Sequence, residues 1–376
     1  MVETLTARRL ITDTGYLEYP VVSIDDGLIT RIDTGTPNGS TETLTAAFFD
    51  IHVHGACSHD FMAAGQREID AVGRFLATRG VAHYLPTTVT GPLDPTLKAL
   101  DRLADAIEQH YENASSAARP VGIHLEGPFV SHAKRGVHPE GSIREPSIEL
   151  FQRLQQAARG HIRLMTIAPE LPSALDLIGH ATATGVRISM GHSNANYVET
   201  LAAITVGASS STHLFNAMRP LDHRQPGIIG MILDSDAVYA EAICDGVHVH
   251  PALIRLWLKT KGADRAILIT DGMSATGMPD GTYKLGNLDV EVKNGVCLSG
   301  ETLAGSVLTM DQAVTNVQQF TGASLETAVR LASSNPARMM GMSHLTEVTL
   351  GADANFNIFD SEGNRTASIL RGRRIG

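Results

Sequence analysis

Short apolar runs recur along most of the chain, and the segments between them carry apolar residues three or four positions apart. Such runs are typical of buried strands, whereas the three- and four-residue spacing is typical of amphipathic helices. The alternation of strands and helices between residues 48 and 345 predicts an α/β fold of the (β/α)8 TIM barrel type. The eight predicted strands lie near residues 48–54, 83–89, 121–125, 163–168, 186–190, 208–212, 238–243 and 266–270.

The last part of the barrel segment departs from this alternation. Residues 282–299 read as a β-hairpin inserted into the barrel, and the helical spacing returns at 303–320 and 324–341. The residues that follow, 346–376, again read as short strands.

The first 47 residues also read as short strands, at 7–12, 21–24 and 28–32. The last two are separated by Asp25-Asp26-Gly27, and Asp-Gly is a strong hairpin signal. Neither end of the chain carries enough strands to be stable alone. We therefore expect residues 1–47 and 346–376 to form one small β-sandwich domain beside the barrel.

The composition excludes several classes of protein. The net charge is −10, and no run of Lys or Arg resembles a nucleic-acid footprint. No stretch is long and apolar enough to span a membrane, and the first residues lack the apolar segment of a signal peptide. Three cysteines, Cys57, Cys244 and Cys297, are too widely spaced for a disulfide framework or a paired-cysteine zinc site. We expect a cytoplasmic protein, since free thiols fit a reducing compartment.

Two histidines end the first predicted barrel strand, in the run Phe-Phe-Asp-Ile-His-Val-His-Gly at 48–55. Residues i and i+2 of a strand point to the same face, so His52 and His54 can lean over one spot. Imidazole is a ligand for Zn, Fe, Cu or Ni. Taken alone, the pair could also be two ordinary strand histidines, so the ends of the other strands must decide.

Polar residues follow four further strands at corresponding positions: Glu126 after the third, His192 after the fifth, His213 after the sixth and Asp271 after the eighth. The carboxyl ends of all barrel strands meet at one mouth, so we expect these residues to lie near the two histidines of the first strand. Any one of them could be a capping residue. Six such residues on five strands favour a cluster.

Four imidazoles and two carboxylates suit a divalent transition metal, with zinc as the first choice and iron, manganese or cobalt as alternatives. One catalytic zinc needs three protein ligands, so the set could hold one or two ions per subunit, with Glu126 shared between two. A metal of this kind acidifies water enough to make it a nucleophile near neutral pH.

Several motifs resemble the amidohydrolase superfamily and, within it, the deacetylases of N-acetylglucosamine 6-phosphate. Three are specific to that branch: Gly-Ile-His-Leu-Glu-Gly-Pro-Phe at 122–129, His-Leu-Phe-Asn-Ala-Met at 213–218 and Asp-Gly-Val-His at 245–248. The match covers nearly the whole chain, in segments 46–61, 121–140, 190–197, 212–230, 241–250 and 266–277, with Leu-Ala-Gly-Ser at 303–306 and Asn-Pro-Ala at 335–337.

The fourth strand distinguishes this chain from many superfamily members, which bridge two metals with a carboxylated lysine there. Here that strand reads Leu-Met-Thr-Ile-Ala-Pro and contains no lysine, so the resemblance implies that Glu126 takes its place. Some deacetylases of this branch lack the His-x-His pair and hold one metal. This sequence keeps both histidines, which favours two.

The resemblance also implies roles for individual residues. Glu126, His192 and His213 match ligands of the main metal, Asp271 matches the general acid/base, and His138 matches a residue that reaches the carbonyl oxygen. On spacing alone, His138 would be a surface-loop histidine. The positions that match substrate contacts are Val137, His138, Asn216, Ala217, Arg224, His248, Leu303, Ala304 and Gly305.

Arg224 and the two loop charges Lys134 and Arg135 concern the phosphate or the partner subunit, whereas His83 concerns neither. In the family the arginine that Arg224 matches comes from the neighbouring subunit, which implies a homodimer. Lys134 and Arg135 could add to the attraction of a phosphate, although charged loop residues are usually only solvated. His83 has no counterpart in the pattern and is interpreted as structural.

The expected function is therefore metal-dependent deacetylation of N-acetylglucosamine 6-phosphate to glucosamine 6-phosphate and acetate, a step of amino-sugar catabolism and recycling. One alternative is a related enzyme that acts on another N-acyl amino sugar or on the galactosamine or mannosamine epimer. Another is a non-catalytic scaffold with the same barrel. Such scaffolds lose metal ligands, whereas all six are present here.

Overall fold

The computed structural model describes residues 3–13, 15–110 and 117–375. Its centre is a barrel of eight parallel strands, in which each strand pairs with the next along the chain. Val53 and Gly272 join the first strand to the end of the last and close the barrel. Barrel strands 1 to 8 are Phe48–Val53, Val81–Thr88, Ile123–Glu126, Ile162–Ile167, Arg187–Met190, Ser210–Ser211, Tyr239–Ile243 and Ala266–Ile269.

These strands confirm the predicted TIM barrel and lie where the apolar runs indicated. Their apolar side chains form one continuous core with the surrounding helices. A short strand at Arg119–Pro120 pairs with the start of barrel strand 2, ahead of barrel strand 3.

Ten helices are present in the described ranges, and most follow a barrel strand. In the first, Ile69, Val72 and Leu76 are buried at the predicted spacing. The helices are α1 (Gln66–Thr78), α2 (Leu93–His110), α3 (Ile148–Ala157), α4 (Ala174–Ala183), α5 (Tyr197–Thr205), α6 (Gly227–Asp234), α7 (Pro251–Arg265), α8 (Met310–Thr321), α9 (Leu325–Ala332) and α10 (Ser334–Met340). None of them combines the length and the apolar character that crossing a bilayer requires.

Two predicted helix boundaries are wrong. The helix expected at 303–320 begins only at Met310, because the chain before it forms a short strand and then a loop that returns to the barrel. The helix expected at 324–341 is divided into α9 and α10 by Ser333, whose φ of −130° and ψ of −79° are not helical.

The insertion is larger than the predicted hairpin at 282–299. It is a four-stranded antiparallel sheet of Gly281–Leu285, Leu288–Lys293, Val296–Ser299 and Thr302–Leu303. Its apolar side chains, among them Leu285 and Val290, share a small core with Met273 and Ala275 from the segment after barrel strand 8, and Val137 packs against that core. The insertion therefore covers one side of the barrel mouth.

The two chain ends share a six-stranded sheet, in the order Arg373–Ile375, Arg365–Leu370, Phe356–Phe359, Thr43–Ala46, Arg9–Thr12 and Gly15–Glu18. A second sheet contains Glu3–Thr6, Pro20–Asp25 and Leu28–Thr34. The predicted hairpin is present, with Asp25 opposite Leu28. Its turn residues Asp26 and Gly27 have φ of 49° and 78°, as a type I′ turn requires.

Apolar side chains of both end segments share one core, which includes Leu10, Val22, Ile29 and Phe356. This agrees with a small β domain made of both ends. Its exact limits at residues 47 and 346 stay a prediction, and residues 1, 2, 14 and 376 of the two end segments lie outside the described ranges.

Candidate metal centre

The six residues expected at the barrel mouth lie together and are buried. Their exposed fractions do not exceed the 8% of Asp271. They form two groups, one of Glu126, His192 and His213 and one of His52, His54 and Asp271. The first group is called the glutamate group below and the second the aspartate group.

The donor atoms within each group lie about one metal-ligand edge apart. In the glutamate group, His213 Nε2 is 3.1 Å from Glu126 Oε1 and from His192 Nε2, and His192 Nε2 is 3.3 Å from Glu126 Oε1. Ligands of a tetrahedral zinc, ~2.0–2.1 Å from the ion, are roughly 3.3–3.4 Å from one another. The three donor atoms are thus spaced to bind one and the same cation.

The aspartate group has the same spacing. His52 Nε2 and His54 Nε2 are 3.2 Å apart, and Asp271 Oδ1 is 3.5 Å from the first and 3.2 Å from the second. Glu126 connects the two groups, because its Oε2 is 3.2 Å from His54 Nε2 while its Oε1 faces the other group. A carboxylate in this position could serve both groups.

Strand ends place these side chains. His192, His213 and Asp271 each come two residues after the last residue of barrel strands 5, 6 and 8. All three have positive φ, of 46°, 29° and 50°, a conformation that costs non-glycine residues energy and recurs at functional sites. The chain thus turns sharply as each strand ends, and the side chain is directed over the mouth.

Hydrogen bonds on the far side of two imidazoles fix which nitrogen faces the cluster. Nδ1–H of His54 donates to the Thr87 carbonyl at 3.2 Å, and Nδ1–H of His192 donates to the Lys134 carbonyl at 3.0 Å. A carbonyl can only accept, so in the neutral form of each ring Nε2 presents a lone pair to its group. These are the tautomers that a metal ligand needs.

The electrostatics of the cluster favour positive charge. Burial lowers the pKa of His54, but Asp271 and Glu126 outweigh it and raise that pKa to about 9. Burial likewise opposes the shift at Glu126, whose pKa is nevertheless held well below its ordinary value by His52 and the neighbouring imidazoles. Two buried carboxylates thus attract cationic charge to this point, and a divalent cation supplies it.

A cavity of about 450 Å³ opens above the cluster. It is lined by both ligand groups, by the loop after barrel strand 3, by His248 and by the insertion. Most residues matched to substrate contacts line it, namely Val137, His138, Asn216, Ala217, His248, Leu303 and Gly305. Ala304 is fully buried, and Arg224 is exposed and lies outside the lining.

His138 is not the surface-loop histidine that its spacing alone suggested, because only 2% of it is exposed. Its Nε2 is 3.3 Å from His192 Nε2 and 3.8 Å from Glu126 Oε2. Burial, and then the charge of His192, keep its pKa well below the ordinary value, so the ring is neutral. Its Nδ1 is 2.6 Å from the Thr90 hydroxyl and accepts the Thr90 backbone N–H at 3.4 Å.

His248 pairs with Asp245 at the other end of the cavity. Asp245 Oδ2 accepts from Nδ1 of His248 at 2.7 Å, and Oδ1 accepts the backbone N–H groups of Val247 and His248. Burial lowers the pKa of His248, but the bond to Asp245 outweighs it and raises that pKa. When protonated, His248 thus offers a half-buried N–H donor beside Asp245, whose carboxylate balances its charge.

Sequence reasoning missed four residues near the site: Thr90, His124, Glu241 and Asp245. A signal existed for two of them, since His124 shares a strand face with Glu126, and Glu241 is a lone carboxylate within the apolar run of barrel strand 7. Asp245 belongs to a quoted motif but received no role. Nothing in the pattern pointed to Thr90, which meets His138 only in three dimensions.

The remaining predicted positions have plain structural surroundings. His83 is buried edge-on against Phe49, and burial lowers its pKa to about 3. Lys134 contributes its carbonyl to His192, and Arg135 donates to the His138 carbonyl at 3.0 Å. All three cysteines are free.

Comparison with known proteins places these features in context. The model of the amidohydrolase family matches residues 43–374. An N-acetylglucosamine-6-phosphate deacetylase of Lysinibacillus sphaericus is 38% identical over 89% of this chain and 86% of its own. An N-acetylgalactosamine-6-phosphate deacetylase of Escherichia coli O157:H7 is 37% identical over 91% and 90%. The solved structure of a mutant Mycobacterium smegmatis N-acetyl-D-glucosamine-6-phosphate deacetylase, in complex with N-acetyl-D-glucosamine-6-phosphate, has a TM-score of 0.93 at 34% identity and covers 100% of this chain and 99% of that one.

Proposed function

The chain belongs to the amidohydrolase family, and we propose that it hydrolyses the acetamide of N-acetylglucosamine 6-phosphate to glucosamine 6-phosphate and acetate. The observation that carries this proposal is the convergence of six metal-ligand side chains at the base of one cavity. Similarity to deacetylases of amino-sugar phosphates over most of the chain supports the substrate class.

Glu126, His192 and His213 would hold the main metal, and His52, His54 and Asp271 would hold a second when two are bound. Zinc is the ion we propose, since imidazole and carboxylate donors at this spacing suit it; iron, manganese and cobalt accept the same ligands. When bound, the cation polarises the acetamide carbonyl and lowers the pKa of water.

Asp271 is the residue we assign to proton transfer. It lines the cavity, and its Oδ1 is 3.2 Å from His54 Nε2. Burial raises the pKa of Asp271, but the charge of His52 and the bond from His54 outweigh burial and keep that pKa below its ordinary value. The carboxylate takes a proton from the attacking water and returns it to the amine nitrogen as the C–N bond breaks.

His138 supplies a hydrogen bond to the carbonyl oxygen as negative charge develops there. Because Nδ1 accepts the Thr90 backbone N–H, the proton of the neutral ring is on Nε2, which faces the cluster and the cavity. A fixed N–H donor in a buried site stabilises the transition state more than the ground state.

The phosphate end uses His248, with Asn216 and Ala217 on the sugar. Protonated His248 keeps Nδ1–H on Asp245, so Nε2–H remains for an anion. Arg224 would add a fork of donors suited to phosphate. It lies on an exposed loop outside its own cavity, which supports its contribution to a neighbouring subunit.

We therefore propose a homodimer. Leu221, three residues before Arg224, is 47% exposed, and Val198 and Leu201 on α5 are 71% and 44% exposed. These exposed apolar side chains are the ones we propose that the partner subunit covers. The phosphorylated substrate and the free thiols fit a cytoplasmic location.

The deciding experiment measures acetate released from N-acetylglucosamine 6-phosphate by the metal-loaded protein. N-acetylgalactosamine 6-phosphate is the second candidate substrate, because one relative of similar identity is named for it. Unphosphorylated N-acetylglucosamine is the control, and the unaltered protein should act on it with a low kcat/KM. Arg224→Ala should act on the phosphorylated sugar with a similarly low kcat/KM. Purified protein that binds no metal and releases no acetate would instead favour a scaffold.

A further inference from the structure

Glu241 is a fully buried carboxylate inside the barrel and has no place in the chemistry above. It lies on barrel strand 7, and none of it is exposed. Its Oε1 accepts the hydroxyls of Ser189 at 3.1 Å and Ser210 at 3.2 Å. Its Oε2 has no hydrogen-bond partner among the described residues.

His52 carries the matching orphan atom. Its Nε2 belongs to the aspartate group, but its buried Nδ1 has no hydrogen-bond partner within the described ranges either. Glu241 Oε2 lies 3.8 Å from that nitrogen, within about 1 Å of an ordinary N–H···O separation. Buried polar atoms normally have a hydrogen-bond partner. These two lie opposite one another and lack one, so a small movement of either side chain would form a hydrogen bond between them.

We propose that Glu241 is a positioning residue that accepts the Nδ1–H of His52 and so holds Nε2 toward the cation of the aspartate group. A carboxylate behind a metal-binding imidazole fixes its tautomer and raises its basicity. The proposal rests on the metal binding proposed above and adds a residue that determines how tightly one of the two groups binds.

A buried layer of polar side chains holds Glu241 in this orientation. The Ser189 hydroxyl also accepts from Thr212 at 2.7 Å, and Thr212 is 2.8 Å from Thr166, which in turn is 2.8 Å from His124 Nε2. With Oε1 occupied by two hydroxyl donors, Oε2 is the oxygen left for His52.

His124 restricts His52 from a second side. Its ring meets that of His52 edge-on, with 4.6 Å between centroids. Nδ1–H of His124 donates to the Ile51 carbonyl at 3.1 Å, which fixes the ring. His52 is thus constrained by packing and, in our proposal, by Glu241.

The two groups should therefore differ in their dependence on Glu241. In the glutamate group, His192 donates to a backbone carbonyl, which no substitution of Glu241 removes. Loss of an outer partner typically weakens metal affinity by ~10–100-fold. We expect that loss in the aspartate group alone.

The test measures Zn²⁺ affinity of the full chain by competition with a chelating dye. Glu241→Gln, which keeps the shape and a weaker neutral acceptor, should weaken the aspartate group by about 10-fold, and Glu241→Leu by about 100-fold. Ser209→Ala is the matched control, since its buried hydroxyl has no hydrogen-bond partner among the described residues, and it should bind nearly as well as the unaltered protein. Equal losses in Ser209→Ala and Glu241→Gln would overturn the proposal, as would equal losses in both groups.

His52→Ala separates this proposal from the function it rests on. If His52→Ala binds as many Zn²⁺ ions as the unaltered protein, and as tightly, the assignment of a metal to the aspartate group is wrong. If it binds weakly and Glu241→Gln does not, only the role of Glu241 is wrong. Combining the two substitutions should cost no more than His52→Ala alone, because the residues act as one unit.

A spectroscopic measurement covers the case in which the variants do not fold. In the unaltered zinc-loaded protein labelled with ¹⁵N-histidine, His52 should show a proton on Nδ1 with the far-downfield shift of a hydrogen bond to a carboxylate. An Nδ1 proton at an ordinary shift would contradict the proposal.

Discussion

The end of the cavity that carries the proposed metal ligands, called the metal end below, and the end proposed to bind phosphate, called the phosphate end, are built differently. At the metal end, ligands come from the ends of five barrel strands, and each is almost fully buried. At the phosphate end, Asn216, Ala217 and His248 lie on loops, Leu303 ends the insertion, Gly305 lies in the loop after it, and Arg224 is exposed. The barrel strands therefore fix the side chains at the metal end, whereas loops and the insertion position those at the phosphate end.

The difference shows how one barrel can keep a reaction while its substrate changes. Strand ends hold donor atoms 3.1–3.5 Å apart, a tolerance that only a rigid scaffold maintains. Loops can be replaced without disturbing that spacing. Substitutions at the metal end should therefore reduce the rate of the chemical step, whereas those at the phosphate end should reduce substrate affinity.

The largest effect is expected from Glu126→Gln, because Glu126 contacts both ligand groups. Metal content should fall, and kcat/KM should drop by more than the ~100-fold that loss of an outer partner costs. Elemental analysis and acetate release measure the two effects. Glu199→Gln is the matched control, since Glu199 only caps α5. A folded Glu126→Gln protein that retains metal and full rate would show that the ends do not differ as described.

Asp271→Asn comes next, since it removes the proposed proton acceptor but keeps the shape of the side chain. We expect kcat to fall by ~10²–10⁴-fold, the usual contribution of general acid–base catalysis. KM should change little, and metal at the glutamate group should remain. Steady-state kinetics of acetate release separate the two constants. An unchanged kcat would exclude Asp271 from proton transfer.

The metal end could be predicted from sequence because its residues share one rule. His52, His192, His213 and Asp271 follow or end apolar runs, and parallel strands bring their carboxyl ends to one mouth. Glu126 follows the same rule, and the resemblance to the deacetylases added its role. Linear spacing is sufficient where the scaffold is regular.

The same reasoning failed where contacts depend on tertiary packing. Thr90 and His138 meet across two loops, and Glu241 faces His52 across the barrel, at sequence distances that no periodicity encodes. The spacing predicts a helix from residue 303, but the helix starts at Met310. The apolar residues between these positions pack against the insertion and the mouth instead. Local pattern could not distinguish that loop from a helical turn.

His138→Ala tests the boundary between the two ends, because His138 lies on a loop but touches the metal ligands. We expect a ~10²–10³-fold loss in kcat, as for other transition-state donors, with a smaller change in KM. Thr90→Val keeps the ring but removes the hydroxyl beside Nδ1, and should cost about tenfold, the value of one hydrogen bond. If Thr90→Val lowered kcat as much as His138→Ala, the ring would contribute to catalysis only when Thr90 orients it.

The smallest effect is expected at the phosphate end, from Asp245→Asn. Asp245 raises the pKa of His248 above its ordinary value, so the imidazole keeps its second proton, and its Nε2–H, to higher pH than an ordinary histidine does. Attraction of the phosphate is therefore present at low pH and lost as pH rises through the pKa of His248. The asparagine variant lowers that pKa, so the loss begins at lower pH.

We expect KM of Asp245→Asn to exceed that of the unaltered protein by up to ~10-fold at pH values between the lowered pKa of His248 in the variant and its higher pKa in the unaltered protein, and ~10-fold is the value of one charge-assisted hydrogen bond. The two KM values should converge below about pH 6, where even an ordinary imidazole is protonated. Taking the ratio at each pH cancels the ionisation of the substrate phosphate itself. A ratio independent of pH would mean that Asp245 supports the loop rather than the charge of His248, and a fall in kcat as large as that of Asp271→Asn would mean that the two ends of the cavity are not separable.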